Sequence, residues 1–483
     1  MQKVALHNLG CKVNSYELDV IGQKLEEKGY TIVPFDEKAD VYIINTCTVT
    51  NIADRKSRQM LHQAKKRNPD AVVVAVGCYV QTGKEQVLTD AGIDLAVGNN
   101  RKKDLAEILE AYLADREGSC SMDKTMNDTS VIDINAAFDY EEMQLTHTAE
   151  HTRAYIKVQD GCNQFCSYCI IPFARGRVRS RHLENIYQEV QGLAEAGYKE
   201  IVLTGIHISS YGIDFEDEAW EEGKCVEKPQ SSERHDYSGA SKLLDLVERI
   251  HDIPGIERIR LGSLEPRIVT QESAKRLAAL PKICPHFHLS LQSGCDETLK
   301  RMNRRYTTAQ FRESVQALRD AFGNPAVTTD VIVGFPGETE EEFEQTVQYL
   351  EELSLYEMHI FKYSVRKGTR AAVMKGQLTE AVKTKRSAVL LDMEARKSKE
   401  YRSQFIGKNM AVLFEEEKEI QGKTYMIGHT REYVKVAVPV SEAMAADNTE
   451  VILANRIVEV KVQGFLADDI LLARNFLKSK ADD

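Results

Sequence analysis

Short, nearly continuous apolar runs alternate with stretches of helical period through the first hundred residues. Lys3–Leu6, Asp40–Asn45 and Ala71–Val76 have the length and β-branched content of buried strands. Helical patterns follow at Tyr16–Lys28 and Ala53–Arg67, and another after Cys78. Such alternation predicts a parallel sheet with helices on its faces, because a parallel crossover needs a dozen or more residues. The pattern resumes after Thr152, with strands expected at Ala154–Val158, Glu200–Leu203, Arg258–Leu261, His286–Leu291, Thr328–Val333 and Met358–Phe361. Helices such as Asn185–Ala196, Lys242–His251 and Thr308–Ala321 separate them. Six strand–helix units are too few for an eight-stranded barrel and predict a partial (β/α)6 barrel. From Gly407 to Gly464 the pattern changes to short alternating strands: Asn409–Phe414, Thr424–His429, Val434–Val438, Val451–Leu453 and Glu459–Gln463. These predict a small all-β barrel.

The expected fold class is therefore α/β and multidomain. An N-terminal parallel α/β sheet domain spans 1–115, a polar linker 116–147, the partial barrel 148–380, a connecting helix 381–406 and the β-barrel 407–470. Phe215–Gly239, rich in acid, Ser and Pro, reads as a surface insertion. A chain of 483 residues, 42% of them hydrophobic, can bury cores on this scale. No apolar run reaches the roughly 18–20 residues of a membrane span, and the N-terminus runs into a strand without signal-peptide organisation, so a cytoplasmic location is expected. The net charge of −11 means that any nucleic-acid contact must come from local basic patches.

The chain holds ten cysteines. Without an export signal they point to metal binding or chemistry, not to a disulfide framework. Cys11, Cys47 and Cys78 each follow one of the first three strands. In an open parallel sheet the carboxyl ends of the strands lie along one edge, so these cysteines can converge. The plainer alternative is that they pack there as small hydrophobes. Cys162, Cys166 and Cys169 form a second trio, in the loop Gln159–Cys169 after the first barrel strand. Three thiolates on a four-iron cube leave one iron open to chelate a substrate. A zinc knuckle would need a fourth ligand, and neither Cys nor His occurs between Cys169 and His182. Cys120, Cys225, Cys284 and Cys295 are expected to stay unligated, and His286 and His288 to pack or hydrogen-bond within a strand.

The spacing of the second trio, with Tyr168 before its last cysteine, resembles the radical S-adenosylmethionine (SAM) signature. Further segments at strand ends extend the likeness: Thr204-Gly205, Ser263-Leu264-Glu265-Pro266, Gln292-Ser293-Gly294 and Asp330 to Gly337. The blocks Leu9-Gly10-Cys11-Lys12-Val13-Asn14, Asn45-Thr46-Cys47-Thr48 and Gly77-Cys78-Tyr79 resemble the N-terminal domain of methylthiotransferases, and the C-terminal barrel is similar to a TRAM domain. The resemblance implies two [4Fe–4S] clusters, one on each cysteine trio, and two SAM molecules per turnover. One cluster would cleave SAM to a 5′-deoxyadenosyl radical, the second would handle sulfur, and the second SAM would supply the methyl group. Tyr168, Thr204, Gly205, Ser263, Glu265, Gln292, Arg304 and Asp330 are the implied cofactor contacts. Segment Asn45–Gln59 most resembles the subgroup that methylthiolates C2 of N6-threonylcarbamoyladenosine at position 37 of tRNA, so a tRNA carrying that base is the expected partner. The sulfur and electron donors are not legible.

Two alternatives remain open at this level. One keeps the chemistry and changes the target to isopentenyladenosine in tRNA or an aspartate of a ribosomal protein. The other is a non-catalytic iron–sulfur RNA-binding protein. RNA contacts are expected from Arg55, Lys56 and Arg58 after Cys47, from Arg175, Arg177 and Arg179 after the second trio, and from Arg431 and Lys435 on the C-terminal barrel. For each run the competing reading is a solvated charged surface.

Overall fold

The computed structural model describes residues 2–117, 130–146, 152–215, 239–440 and 453–475. Cys120 and Cys225, and nearly all of the expected insertion, lie outside them. The first sheet is wholly parallel, in the order β2-β1-β3-β4-β5, with β1 Lys3–Asn8, β2 Thr31–Val33, β3 Val41–Thr46, β4 Val72–Gly77 and β5 Leu95–Val97. β3 and β4 are buried along their whole length, which is why they read as continuous apolar runs. β2 and β5 have three residues each and gave no pattern. Helix α1, Lys12–Glu27, begins directly after Cys11, and α2, Asn51–Arg67, is capped by the Thr50 side chain, which accepts from Ala53 N–H.

The second unit is a partial barrel. β6 Arg153–Asp160, β8 Glu200–Gly205 and β9 Arg258–Leu261 pair in parallel, and β7 Arg179–Ser180 adds antiparallel to the outer edge of β6. Isolated parallel bridges join β9 to the segment leading into β10 His286–His288, which continues through β11 Ala326–Val333 to β12 Glu357–Lys362. Six parallel strands with helices outside match the expected architecture. Ala154, Ile156, Val158, Ile201, Leu203, Ile259, Phe287, Val327, Val331 and Met358 point outward into one hydrophobic core with the helices. By strand alternation the other face turns Arg153, Lys157, Glu200, Thr204, Arg258, Arg260, His286, His288, Asp330 and His359 into the barrel. This interior is unusually polar.

The third unit is a closed barrel, β13-β14-β15-β17-β16, comprising β13 Asn409–Ile420, β14 Lys423–His429, β15 Lys435–Pro439, β16 Ile457–Ala467 and β17 Ile470–Asn475. Its fifth strand is β17 and not the expected Val451–Leu453: Leu453 lies outside any strand, and Val451 and Ile452 fall outside the described residues. β17 runs beyond the boundary drawn at 470, and it closes the barrel through a parallel pairing with β15 that local sequence does not signal. The helix Glu380–Ser403 leads into this unit.

The units are not beads on a string. Tyr16 and Val20 of α1 share the hydrophobic core of the second unit, and so do Met143 and Leu145 of the expected linker. The linker thus packs as part of the interface. The closed barrel docks on the amino-terminal end of the partial barrel. Arg258 donates to the carbonyls of His429 (3.0 Å) and Ala411 (2.9 Å), and Arg153 pairs with Glu415. The Tyr433 ring lies against both Arg153 (4.9 Å) and Arg260 (4.4 Å).

Candidate active site between two cysteine trios

The second trio sits on the loop after β6. Its path depends on Gly161, whose φ is +69°. A Cβ there would fall 1.7 Å from the Arg177 carbonyl oxygen, because the chain passes close enough for Cys162 N–H to donate to Gly176 O at 3.0 Å. Gly161→Ala is therefore expected to prevent the loop from closing and to leave one cluster's worth of iron unbound, about four atoms per chain. Gly197 also has positive φ, +95°, but open space around it; Gly197→Ala should cost only about 1 kcal/mol of backbone strain and keep full iron. Iron and sulfide assays on anaerobically reconstituted protein check both.

Cys162, Cys166 and Cys169 are half-buried free thiols near enough to act electrostatically on one another. Burial pushes the Cys162 thiol up to about 12 and that of Cys169 higher, outweighing the opposing pull of the Arg304 guanidinium. The sulfurs are engaged only lightly: Gln164 N–H points to Cys162 at 3.5 Å, and Arg304 Nη1 to Cys166 at 3.1 Å. Asn303 and Arg304 follow the helix Asp296–Arg301, and Asn303 donates to the Phe165 carbonyl (3.0 Å). Tyr168 packs edge-on against Phe335, with ring centroids 6.4 Å apart.

The first trio converges as the sheet topology requires. Cys11 follows β1, Cys47 follows β3 and Cys78 opens the helix after β4; Cys47 feels the charge of both Cys11 and Cys78, and Cys11 feels that of Cys78. A Cβ on Gly10 would lie 3.2 Å from the Cys47 sulfur, so glycine leaves that face open. Burial raises the Cys47 thiol to about 11. Asn99 Nδ2 contacts the Cys78 sulfur (3.5 Å) and donates to the Ala174 carbonyl (2.7 Å), tying this trio to the loop after the other.

His288, Asp330 and His359 are the only three His, Cys, Asp or Glu side chains, among the described residues, whose ligand atoms all lie within 4.8 Å of one another. The cysteine trios are wider than that, whereas thiolates on one tetrahedral ion at about 2.3 Å sit roughly 3.8 Å apart. Wider spacing and three thiolates on each trio fit a four-iron cube with one open corner.

The remaining expected contacts gather at the carboxyl ends of the barrel strands. Thr204 and Gly205 end β8, and exposed Ser263 follows β9. Glu265 is buried and accepts from Arg267 Nε (2.6 Å), with His207 Nε2 at 3.4 Å. Gln292 holds a φ of +72°, and its N–H donates to the Asp330 carbonyl at 2.8 Å. A non-glycine residue in this region at a strand end is local strain of the kind that marks functional sites. Asp330 faces His288 Nε2 at 3.4 Å.

The expected RNA contacts need correction. Arg175 and Arg179 are each 1% exposed. Arg175 donates to Glu17 (2.9 Å), Asp160 (3.1 Å) and Asn14 Oδ1 (2.6 Å), and Arg179 lies 3.7 Å from Asp160. They are internal counter-ions, because α1 brings Glu17 of the first unit against the barrel. Arg431 is likewise spent within the fold, donating to the carbonyls of Pro281 and Ile283 at 2.5 and 2.6 Å. Lys435 pairs with Asp469 at 2.8 Å on the barrel surface, and Arg58 lies half-buried over the Tyr79 ring at 5.8 Å. Arg55, Lys56 and Arg177 are exposed, the last stacked on Phe165 at 4.5 Å. Sequence reasoning missed Arg366, which reaches Thr48, Asn51 and Asp54 beside Cys47 from more than 300 residues away, and Lys12, hidden as the neighbour of a cysteine.

A family model described as the Radical SAM superfamily matches residues 156–350, and one described as Uncharacterized protein family UPF0004 matches residues 3–98. The threonylcarbamoyladenosine tRNA methylthiotransferase MtaB of Bacillus subtilis is 40% identical, over 92% of this chain and 92% of its own. The protein of that name from Aquifex aeolicus is 39% identical, over 88% and 95%. A tRNA-2-methylthio-N(6)-dimethylallyladenosine synthase of Methylacidiphilum infernorum is 34% identical, over 92% and 90%. The solved radical SAM methyltransferase TsrM from Kitasatospora setae shares the fold, with a TM-score of 0.50 at 18% identity over 77% of each chain. With a radical-SAM core, a methylthiotransferase-type first domain and relatives matched along nearly their whole length, the chain belongs to the radical-SAM methylthiotransferase family.

Proposed function

We propose that this enzyme methylthiolates C2 of N6-threonylcarbamoyladenosine at position 37 of tRNA, with a [4Fe–4S] cluster on each cysteine trio. The observation that carries the reading is the pair of trios, each made of three free thiols, whose segments are tied together by Asn99 between the Cys78 sulfur and the Ala174 carbonyl. The membership just stated implies SAM and one cluster, and the donor set of the first trio supports a second. When bound, the clusters and SAM supply a radical that can activate an aromatic C–H, together with a place to hold sulfur. The chain supplies the rest. Arg304 stands beside Cys166, where it can pair with the carboxylate of SAM, and Glu265 and Gln292 line the strand ends above the barrel. The buried Glu17–Arg175–Asp160 cluster keeps the first unit seated on the second, so the distance between the trios is held. The C-terminal barrel docks on the opposite end.

Support for the threonylcarbamoyl base over the isopentenyl base comes from the polar, cationic interior, which suits a carboxylate-bearing substituent and disfavours an apolar one. The test is nucleoside mass spectrometry after anaerobic reaction of the reconstituted enzyme with tRNA carrying either base. The expected result is a 2-methylthio product only from the threonylcarbamoyl tRNA. Product only from the isopentenyl tRNA would overturn the reading.

A further inference from the structure

The floor of the partial barrel carries more positive than negative charge. Glu200 is shared by Arg260 (3.1 Å), Arg258 (3.8 Å) and Arg153 (3.9 Å). Glu415 of the docked barrel meets Arg153 and accepts from His429 Nδ1 at 2.5 Å. Burial pulls His286 and His429 below the usual histidine range, so neither adds to the charge by itself. Lys12 comes down from α1 into this group. Its ammonium is close enough to feel Arg260, Arg153 and Glu200, and His286 feels it in turn. Four cations thus face two carboxylates, in a chain whose net charge is −11.

Lys12 differs from the three arginines in one respect. They are buried, and each is engaged by a carboxylate or carbonyl. Lys12 keeps an exposed side chain and makes no hydrogen bond or ion pair among the described residues. An exposed lysine whose ammonium lies among inward-facing strand residues is open to a ligand from outside the fold. Lys12 directly follows Cys11, and its ammonium faces Arg153 of β6, Glu200 of β8, Arg260 of β9 and His286 of β10. A cation with a spare set of donors, backed by further cations, is a receptor for an anion of carboxylate size.

We infer that Lys12 binds the threonyl carboxylate of the substrate base and so selects threonylcarbamoyladenosine over adenosines with uncharged N6 substituents. The inference rests on the function proposed above. The base would enter between the trios with its N6 substituent directed to the barrel floor, which leaves C2 on the side of the clusters. Arg153 and Arg260 contribute long-range attraction, while Lys12 makes the contact.

The test uses full-length, anaerobically reconstituted enzyme and two synthetic anticodon stem–loop RNAs. One carries N6-threonylcarbamoyladenosine; the other carries the same base with the threonyl carboxylate converted to its amide. The readout is the ratio of kcat/KM on acid over amide, measured on one protein sample, so that partial cluster loss cancels. Wild type should prefer the acid by about tenfold to a hundredfold, the usual worth of a hydrogen bond to a charged group. Lys12→Gln should bring the ratio close to one by losing activity on the acid, and Lys12→Arg should restore most of the preference. Equal losses on both RNAs in Lys12→Gln, as a role in holding Cys11 or SAM would give, overturn the inference alone. A wild-type enzyme inactive on the threonylcarbamoyl stem–loop but active on an isopentenyl one overturns the parent reading and this one with it.

Discussion

Replacing Cys162, Cys166 and Cys169 together by alanine is expected to abolish SAM cleavage and to halve the iron content, from about eight to about four atoms per chain. The loop that carries them is held by contacts that do not involve the thiols. Cys162 N–H meets Gly176 O (3.0 Å), Ser167 N–H meets Met302 O (2.9 Å), and Asn303 braces the Phe165 carbonyl. Alanine at three half-buried positions leaves this framework in place, so the loss should be one of ligation and not of folding. The first trio, on separate strands, should keep its iron. Iron and sulfide assays with Mössbauer spectroscopy, and detection of 5′-deoxyadenosine after addition of SAM and dithionite, check both halves. Full iron in the triple variant would sink the ligand assignment.

Glu17→Ala is expected to cost about 3–5 kcal/mol, the largest effect on stability of any single surface-distant change considered. Glu17 is buried on α1 and pairs with Lys102 of its own unit and with Lys157 (2.8 Å) and Arg175 (2.9 Å) of the barrel. Burial alone would raise its carboxyl, but Arg175, Lys102 and Lys157 together hold it well below the usual value of 4.5. Removing it leaves Lys157 and Arg175 with Asp160 and takes from buried Lys102 its carboxylate partner, leaving Asn45 at 3.3 Å. The sign with pH follows from the direction of the shift. A depressed carboxyl contributes stability that is complete above 4.5 and lost as pH falls through the lower, folded-state value. The gap between wild type and Glu17→Ala in denaturant unfolding should therefore be constant from about pH 6 to 8 and narrow only below about pH 4.5. A gap that grew on acidification would contradict the ion-pair account.

Parallel strands, their order along the chain and the places of the six cysteines at strand ends and on one loop were legible in the sequence, because each rests on a local pattern. β3 and β4 are apolar throughout since both faces are covered, and Cys162, Cys166 and Cys169 lie within one loop. Cys11, Cys47 and Cys78 were legible by a less local rule: equivalent positions after consecutive parallel strands meet at one sheet edge. What distant segments do to one another was not legible. Arg175 and Arg179 have the look of a solvated basic run until α1 sets Glu17 beside them, and Arg431 looks free until the closed barrel docks on Pro281 and Ile283. A charge pattern carries no record of which acid, 150 residues away, will neutralise it.

The sequence by itself thus determined which thiols are present, how they are spaced, and which strands deliver them. Only the tertiary structure decided which cations are free to meet a ligand. Burial and pairing depend on elements far apart in the chain, and they consume Arg175, Arg179, Arg258 and Arg260 while leaving Lys12 exposed inside the barrel. The physical reason is the cost of an unpaired charge away from water, which forces nearly every buried cation to find its partner within the fold.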